Sequence, residues 1–120
     1  MRRVIGNPVL DNALQTLRVA WRSSRSPIWR AAIKMLMKTR SRRVEVNVGK
    51  IDKLSKDGDV ILVPGKVLGG GTVSHSIVVG CFNCSKAASD KIRKAGGKAL
   101  TLTEFVEKYR DGKGVLLIGG

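Results

Sequence analysis

An α/β fold preceded by two basic helices is what the spacing of apolar residues predicts. Before residue 43, apolar residues recur every three to four positions, as on one face of a helix. From Val44 the period drops to two, as in a half-buried strand. Beyond that, helical patterns and short β-branched runs alternate to the end of the chain, an order that places helices against a sheet. The sheet is expected to be mixed. A chain of 120 residues makes one domain, 1–120, with a basic helical part at 1–43 and an α/β body at 44–120. No repeat or low-complexity linker divides the two parts, and the helices' apolar stripes need the body to cover them.

Asn7-Pro8 opens the first helix: asparagine caps, and proline takes the first turn, where its missing N–H costs nothing. Leu10, Leu14, Leu17 and Trp21 then form one apolar stripe, with Arg18, Arg22 and Arg25 running beside it. Ser26-Pro27 restarts the same device. Trp29, Ile33, Leu36 and Met37 give the second buried face, and Arg30, Lys34 and Lys38 line up at i, i+4 and i+8. Arg40, Arg42 and Arg43 follow at once.

Val44, Val46 and Val48 alternate with Glu45 and Asn47 in the first strand, and Val48, Ile51 and Leu54 suit a helical turn or two. Lys56-Asp57-Gly58-Asp59 is a turn. Asp59 to Gly71 then combines an apolar run, a Pro64-Gly65 corner, Lys66 at the bend and three closing glycines. Such glycines leave no side chain in the way of an approaching partner or strand. Val73 to Phe82 is the next strand, with a buried centre at Ile77-Val78-Val79. Ser85 to Ala95 is helical, with Ala88, Ile92 and Ala95 inward, an Asp90–Lys94 pair, and Gly96-Gly97 as its stop. Lys98 to Leu100 is a short strand. Thr101 and Glu104 have capping-box spacing ahead of Leu102, Phe105, Val106 and Tyr109. Asp111 to Gly114 turns into a last strand, Val115 to Ile118.

Charge narrows the function. Twenty-three Lys and Arg face nine Asp and Glu, a formal net charge of +14, and the first 43 residues carry eleven cations and one acid, Asp11. Like charges at i, i+4 oppose helix formation by about 0.2–0.5 kcal/mol per pair, and solvated faces ordinarily interleave both signs. The imbalance fits a polyanion, nucleic acid first, since each phosphate neutralised releases counterions. A membrane surface fits less well, because both basic helices also carry ordinary core faces. No apolar run approaches the roughly 18 residues needed to span a bilayer, Met1 to Leu10 is too short and polar for a signal peptide, and two cysteines make no secreted disulfide framework. The chain reads as cytosolic.

Other chemistry finds little footing. Gly65-Lys66 is not a phosphate-binding loop: Val67 stands where Ser or Thr would hold magnesium, and Val60 stands where the first glycine belongs. Cys81-Phe-Asn-Cys84 lies between a strand and a helix, the context of a redox pair, yet all three prolines precede it, and buried apolar cysteines explain it more simply. Those cysteines and His75 fall one ligand short of a zinc site. His75 is the one histidine, no acid is placed behind it, and it is expected to be exposed near a hairpin. No cofactor, metal or small-molecule substrate is called for.

Asn7-Pro8-x-Leu10, Pro27-Ile28-Trp29-Arg30, Val46-Asn47-Val48-x-x-Ile51, Gly58-Asp59-Val60, Val63-Pro-Gly-Lys-Val-Leu-Gly69 and Lys91-Ile-x-x-Ala-Gly-Gly97 occur in that order. Together they resemble the archaeal large-subunit ribosomal protein family eighteen-e, counterpart of eukaryotic ribosomal protein eighteen and relative of bacterial ribosomal protein fifteen. The resemblance covers nearly the whole chain. It implies an irregular α/β fold of strand–strand–helix turns, and a structural constituent of the large ribosomal subunit that is non-catalytic, cytoplasmic and ribosome-bound. Its partners would be large-subunit ribosomal RNA and neighbouring ribosomal proteins. The implied binding is by phosphate and shape, because A-form RNA hides its major groove. Carried onto this chain, the RNA contacts are expected at Arg22, Arg25, Arg30, Lys34, Lys38, Arg40, Arg42 and Arg43, with Lys66 acting at the bend. Family members tend to end in basic residues, whereas this chain ends Leu117-Ile-Gly-Gly120, so no contact is expected there. The alternatives are a generic nucleic-acid-compacting protein and, behind it, a CxxC thiol oxidoreductase.

Overall fold

The computed structural model describes residues 8–38 and 44–119. The order is α1 (Pro8–Ser24), α2 (Pro27–Leu36), β1 (Val44–Asn47), α3 (Val48–Leu54), β2 (Val60–Leu68), β3 (Val78–Cys84), α4 (Lys86–Lys94), β4 (Lys98–Thr101), α5 (Leu102–Lys108) and β5 (Val115–Leu117). The α/β class and the two leading helices are as expected. The sheet differs in one respect: every pairing is parallel rather than mixed. The Asn7 cap and the cations at 40, 42 and 43 lie outside the described residues.

β2 organises the sheet. β3 and then β4 lie on one side of it, and its other edge is shared. There β5 pairs with Val60–Leu62, while β1 pairs with Gly65–Leu68. Proline supplies no ladder N–H, so inside a central strand it needs a place where none is required. Pro64 has that place: it sits at the hand-over from β5 to β1, where pairing with β3 also shifts register between Val63 and Lys66. Gly65 is as constrained, since a Cβ there would overlap the Val44 carbonyl of β1. The expected Pro-Gly corner is therefore an irregularity within a continuous strand, and Lys66 is a strand residue opposite Glu45 and Asn83.

A parallel sheet is buried on both faces. Ile61, Val63 and Val67 of β2 pack with Val79, with Val48 and Ile51 of α3 and with Ala88 and Ile92 of α4. Val60 and Leu62 face the other way, into Leu14 and Leu17 of α1, Trp29, Ala32 and Leu36 of α2, and Leu102, Phe105 and Val106 of α5. The sheet thus lies between an α3/α4 layer and an α1/α2/α5 layer. Trp29 is fully buried, stacks edge-on against Phe105 at 6.2 Å, and its indole N–H donates to the Arg110 carbonyl at 2.8 Å. Met37, expected inside, is exposed, as is Leu54 at the end of α3.

The glycine run belongs to the connection from β2 to β3, residues 69–77, which joins parallel strands without a helix. It is tied down from three elements, β1, α3 and α4. Gly70 N–H donates to Asn47 Oδ1 at 3.1 Å, Gly49 N–H donates to the Gly70 carbonyl at 2.9 Å, and Lys91 Nζ reaches the Gly69 and Gly71 carbonyls, both at 2.6 Å. Gly71 has φ +90°, and a Cβ on it would stand 2.6 Å from Gly49 Cα. What comes close to these glycines is the chain itself.

The Thr101–Glu104 capping box forms as expected, with Thr101 Oγ1 accepting from Glu104 N–H and Glu104 Oε1 accepting from Thr101 N–H. The expected Asp90–Lys94 pair is replaced by Asp90–Arg93 at 2.7 Å. Gly80 supports α5 from below, and a Cβ there would overlap the Phe105 ring. Gly80→Ala should lower unfolding free energy by about 1–3 kcal/mol, the usual range for overpacking. Denaturant titration at unchanged m-value checks this, and a parental midpoint would refute the β3–α5 contact.

Candidate nucleic-acid interface

α1 and α2 turn their apolar stripes into the core cluster they share with α5 and one face of β2, so their cations are left on the outside. Arg22, Arg25, Arg30, Lys34 and Lys38 are all exposed, as is Arg18. Asp11 is the single acid on this pair of helices, at the far end of α1. Among the described residues the ion pairs lie elsewhere, at His75–Asp52 and Arg93–Asp90. Arg22 and Lys34 therefore carry charge without a carboxylate to offset it.

The two helices meet at Ser24-Arg25-Ser26. Arg25 closes α1 with its N–H donating to the Trp21 carbonyl at 2.8 Å, at a backbone φ of 58°. That left-handed geometry costs an L-residue roughly 1–2 kcal/mol. Pro27 then restarts the helix at its first position. The guanidinium carbons of Arg25 and Arg30 lie 5.3 and 5.8 Å from the centre of the Trp21 ring. Trp21, read in the sequence only as a core residue, is half-buried and carries both arginines on its indole.

Of the nine expected contacts, the fold brings Arg22, Arg25, Arg30, Lys34 and Lys38 into one helical layer. Lys66 stands apart, half-buried in β2. Its ammonium has no hydrogen-bond or ion-pair partner among the described residues. A second set of cations escaped the sequence reading. Lys50, Lys53 and Lys56 on and after α3, and Lys86, Arg93, Lys94 and Lys98 around α4, are exposed on the other layer. The Lys50/Lys53 spacing and the Lys91-Ile-Arg-Lys94 run were their signals. Arg93 and Lys94, in the last turn of α4, also complement its dipole, so their presence has a folding reason as well.

His75 corrects an expectation. It is neither free nor beside a hairpin, since β2 and β3 run parallel. Asp52 Oδ1 lies 3.1 Å from its Nδ1, and Ser55 Oγ lies 3.0 Å from its Nε2. The Ser–His–Asp line is nonetheless a structural pin. Ser55 Oγ donates to the Ile51 carbonyl at 2.7 Å, so its proton is not offered to the imidazole. Asp52 accepts from the Ser74 N–H at 2.9 Å and from its hydroxyl at 2.9 Å, which fastens the 69–77 connection to α3.

Cys81 is buried and Cys84 half-buried, both as free thiols. Cys81 is pushed up, first by its hydrogen bond to Cys84 and then by burial, while the same bond pulls Cys84 down against its own burial. The two thiols act on each other, but both pack into the core cluster under α4. Among the described residues no group of three or more His, Cys, Asp or Glu could hold a metal ion. Nor is any described helix long and apolar enough to cross a membrane.

The fold belongs to a known class: the family model for ribosomal proteins 50S-L15, 50S-L18e and 60S-L27a matches residues 45–100. Large ribosomal subunit protein eL18 of Pyrobaculum aerophilum is 43% identical over 112 residues, covering 93% of this chain and 92% of the relative. That of Methanococcus maripaludis is 35% identical over 119 residues, covering 98% and 99%. That of Sulfurisphaera tokodaii is 40% identical over 96 residues, covering 80% and 81%. This chain belongs to the eL18 family of large-ribosomal-subunit proteins. That family is structural rather than enzymatic.

The pin has a pH signature. The Ser74 N–H holds Asp52 below the ordinary carboxylate value; desolvation opposes this, and the Ser74 hydroxyl and His75 reinforce it. A depressed folded value means stabilisation that is present above the usual carboxylate range, near pH 4, and lost as pH falls through the folded value. The stability difference between the parent and Asp52→Asn should thus narrow as pH drops from about 6 to about 3. Denaturant melts across that series check it, and a constant difference would refute the pin.

Proposed function

We propose that this chain is a structural constituent of the large ribosomal subunit that binds ribosomal RNA through the outer face of α1 and α2. The observation that carries the reading is the one-sided charge of that layer: six exposed cations from Arg18 to Lys38, with Asp11 the only acid on the two helices. RNA phosphates supply the missing counter-charge. Contacts are to phosphate, sugar and shape, because helical RNA presents no readable major groove to side chains. Arg22, Arg25, Arg30, Lys34 and Lys38 are the main contacts, and Arg40, Arg42 and Arg43, next along the chain, add to them. Lys66 is a lesser contact, held within β2. Residues 1–43 and 44–120 act as one domain on this reading, since α1, α2 and α5 share one core cluster with β2. Neighbouring ribosomal proteins complete its surroundings in a cytoplasmic ribosome.

Binding of the full chain to archaeal large-subunit ribosomal RNA should weaken steeply with salt, by about 0.7–0.9 in log–log slope per phosphate met. Replacing Arg22 and Lys34 together by Gln should reduce that slope by about 1.5. Filter binding over a salt series reads both. Equal affinity for ribosomal RNA and random duplex DNA would replace this function by generic compaction of nucleic acid.

A further inference from the structure

The corner between α1 and α2 holds an arrangement that general charge neutralisation does not require. Among the described residues, Arg25 is the one non-glycine residue with positive φ. Glycine or asparagine is the cheaper occupant of that position after a helix. Arginine is kept there instead, and its guanidinium converges with that of Arg30 on a single indole. Two like charges drawn to one ring repel each other, and the ring's quadrupole offsets this only in part. Neither arginine has a carboxylate partner among the described residues.

The corner is also packed from two sides. Trp21 packs against the α1/α2/α5 core cluster, and the turn before β5 comes close to the start of α2. A Cβ on Gly112 would stand 2.8 Å from Ser26 Oγ. The two guanidinium groups therefore lie over a ring that is itself packed into the core. Planar guanidinium forks match phosphate oxygens in geometry as well as charge.

We propose that Trp21, Arg25 and Arg30 form a discrete binding site for the phosphodiester backbone of RNA, with Trp21 as the positioning residue. Arg25 occupies its left-handed position for that contact and not for folding. This rests on the RNA-binding function proposed above and narrows it to one corner of the molecule.

Arg25→Gly in the full chain separates the two roles, because glycine adopts the left-handed geometry freely. The thermal midpoint should be no lower than the parent's. Affinity for large-subunit ribosomal RNA should fall about tenfold at moderate salt, with the salt slope reduced by about one. Arg30→Gln should show the same loss of affinity and slope. Parental affinity and slope in both variants would overturn the site while leaving the RNA-binding function standing. Affinity that falls only together with the thermal midpoint would also overturn it, making Arg25 a folding residue. A parent chain that does not bind ribosomal RNA would instead overturn the function on which the site depends.

Discussion

A parallel sheet cannot leave either face in water, and here, among the described residues, one face of β2 shares its core cluster with α1, α2 and α5. Fully burying a large apolar side chain is worth about 1.5–3 kcal/mol, and Leu17, Trp29, Leu36, Leu62 and Phe105 are all fully buried in that layer. The requirement fixes how the helices are rotated. Once the Leu14–Leu17 and Trp29–Leu36 stripes are turned inward, the cations between them can only point away from the sheet. The charged face is thus a consequence of core formation, and the RNA-binding proposal uses what the core leaves outside.

The Val63-Pro-Gly-Lys-Val-Leu-Gly69 run takes its meaning from the same sheet. Proline, glycine and the register shift together let two strands share one edge of β2. The glycines that follow let a nine-residue connection replace the usual crossover helix. Asn47, Gly49, Asp52 and Lys91 hold that connection in place. Lys91, which composition alone would count among nucleic-acid contacts, already uses its ammonium on two backbone carbonyls. A cation's value to a partner depends on whether the fold has claimed it first.

Much of this was legible in the sequence. The helical stripes, the capping box at Thr101 and the Val44–Val46–Val48 alternation each depend on neighbours a few residues away, so local pattern reveals them. Sheet direction was not legible, because pairing depends on contacts between distant segments: β5 reaches β2 across more than forty intervening residues. The partners of His75 were hidden for the same reason, Asp52 and Ser55 arriving from the end of α3. Pro64-Gly65 resembled a corner because that dipeptide is an ordinary turn signal, whereas a bulge at a strand hand-over has no local signature. Trp21 at i+11 of a stripe looked like core and is half that, its exposed side carrying two arginines. The basic face of α1 and α2 was foreseen; the cations around α3 and α4 were not, because Asp52, Asp57, Asp59 and Asp90 dilute them along the chain.

On the proposed function, the outer face of α1 and α2 meets RNA while the sheet and α3/α4 lie behind it. A density map of the large ribosomal subunit containing this chain tests that most directly. Arg22, Arg25, Arg30 and Lys34 should lie against RNA backbone density, with Trp21 beneath the two arginines. A map in which that face meets solvent, while α3 and α4 alone lie on RNA, would contradict it.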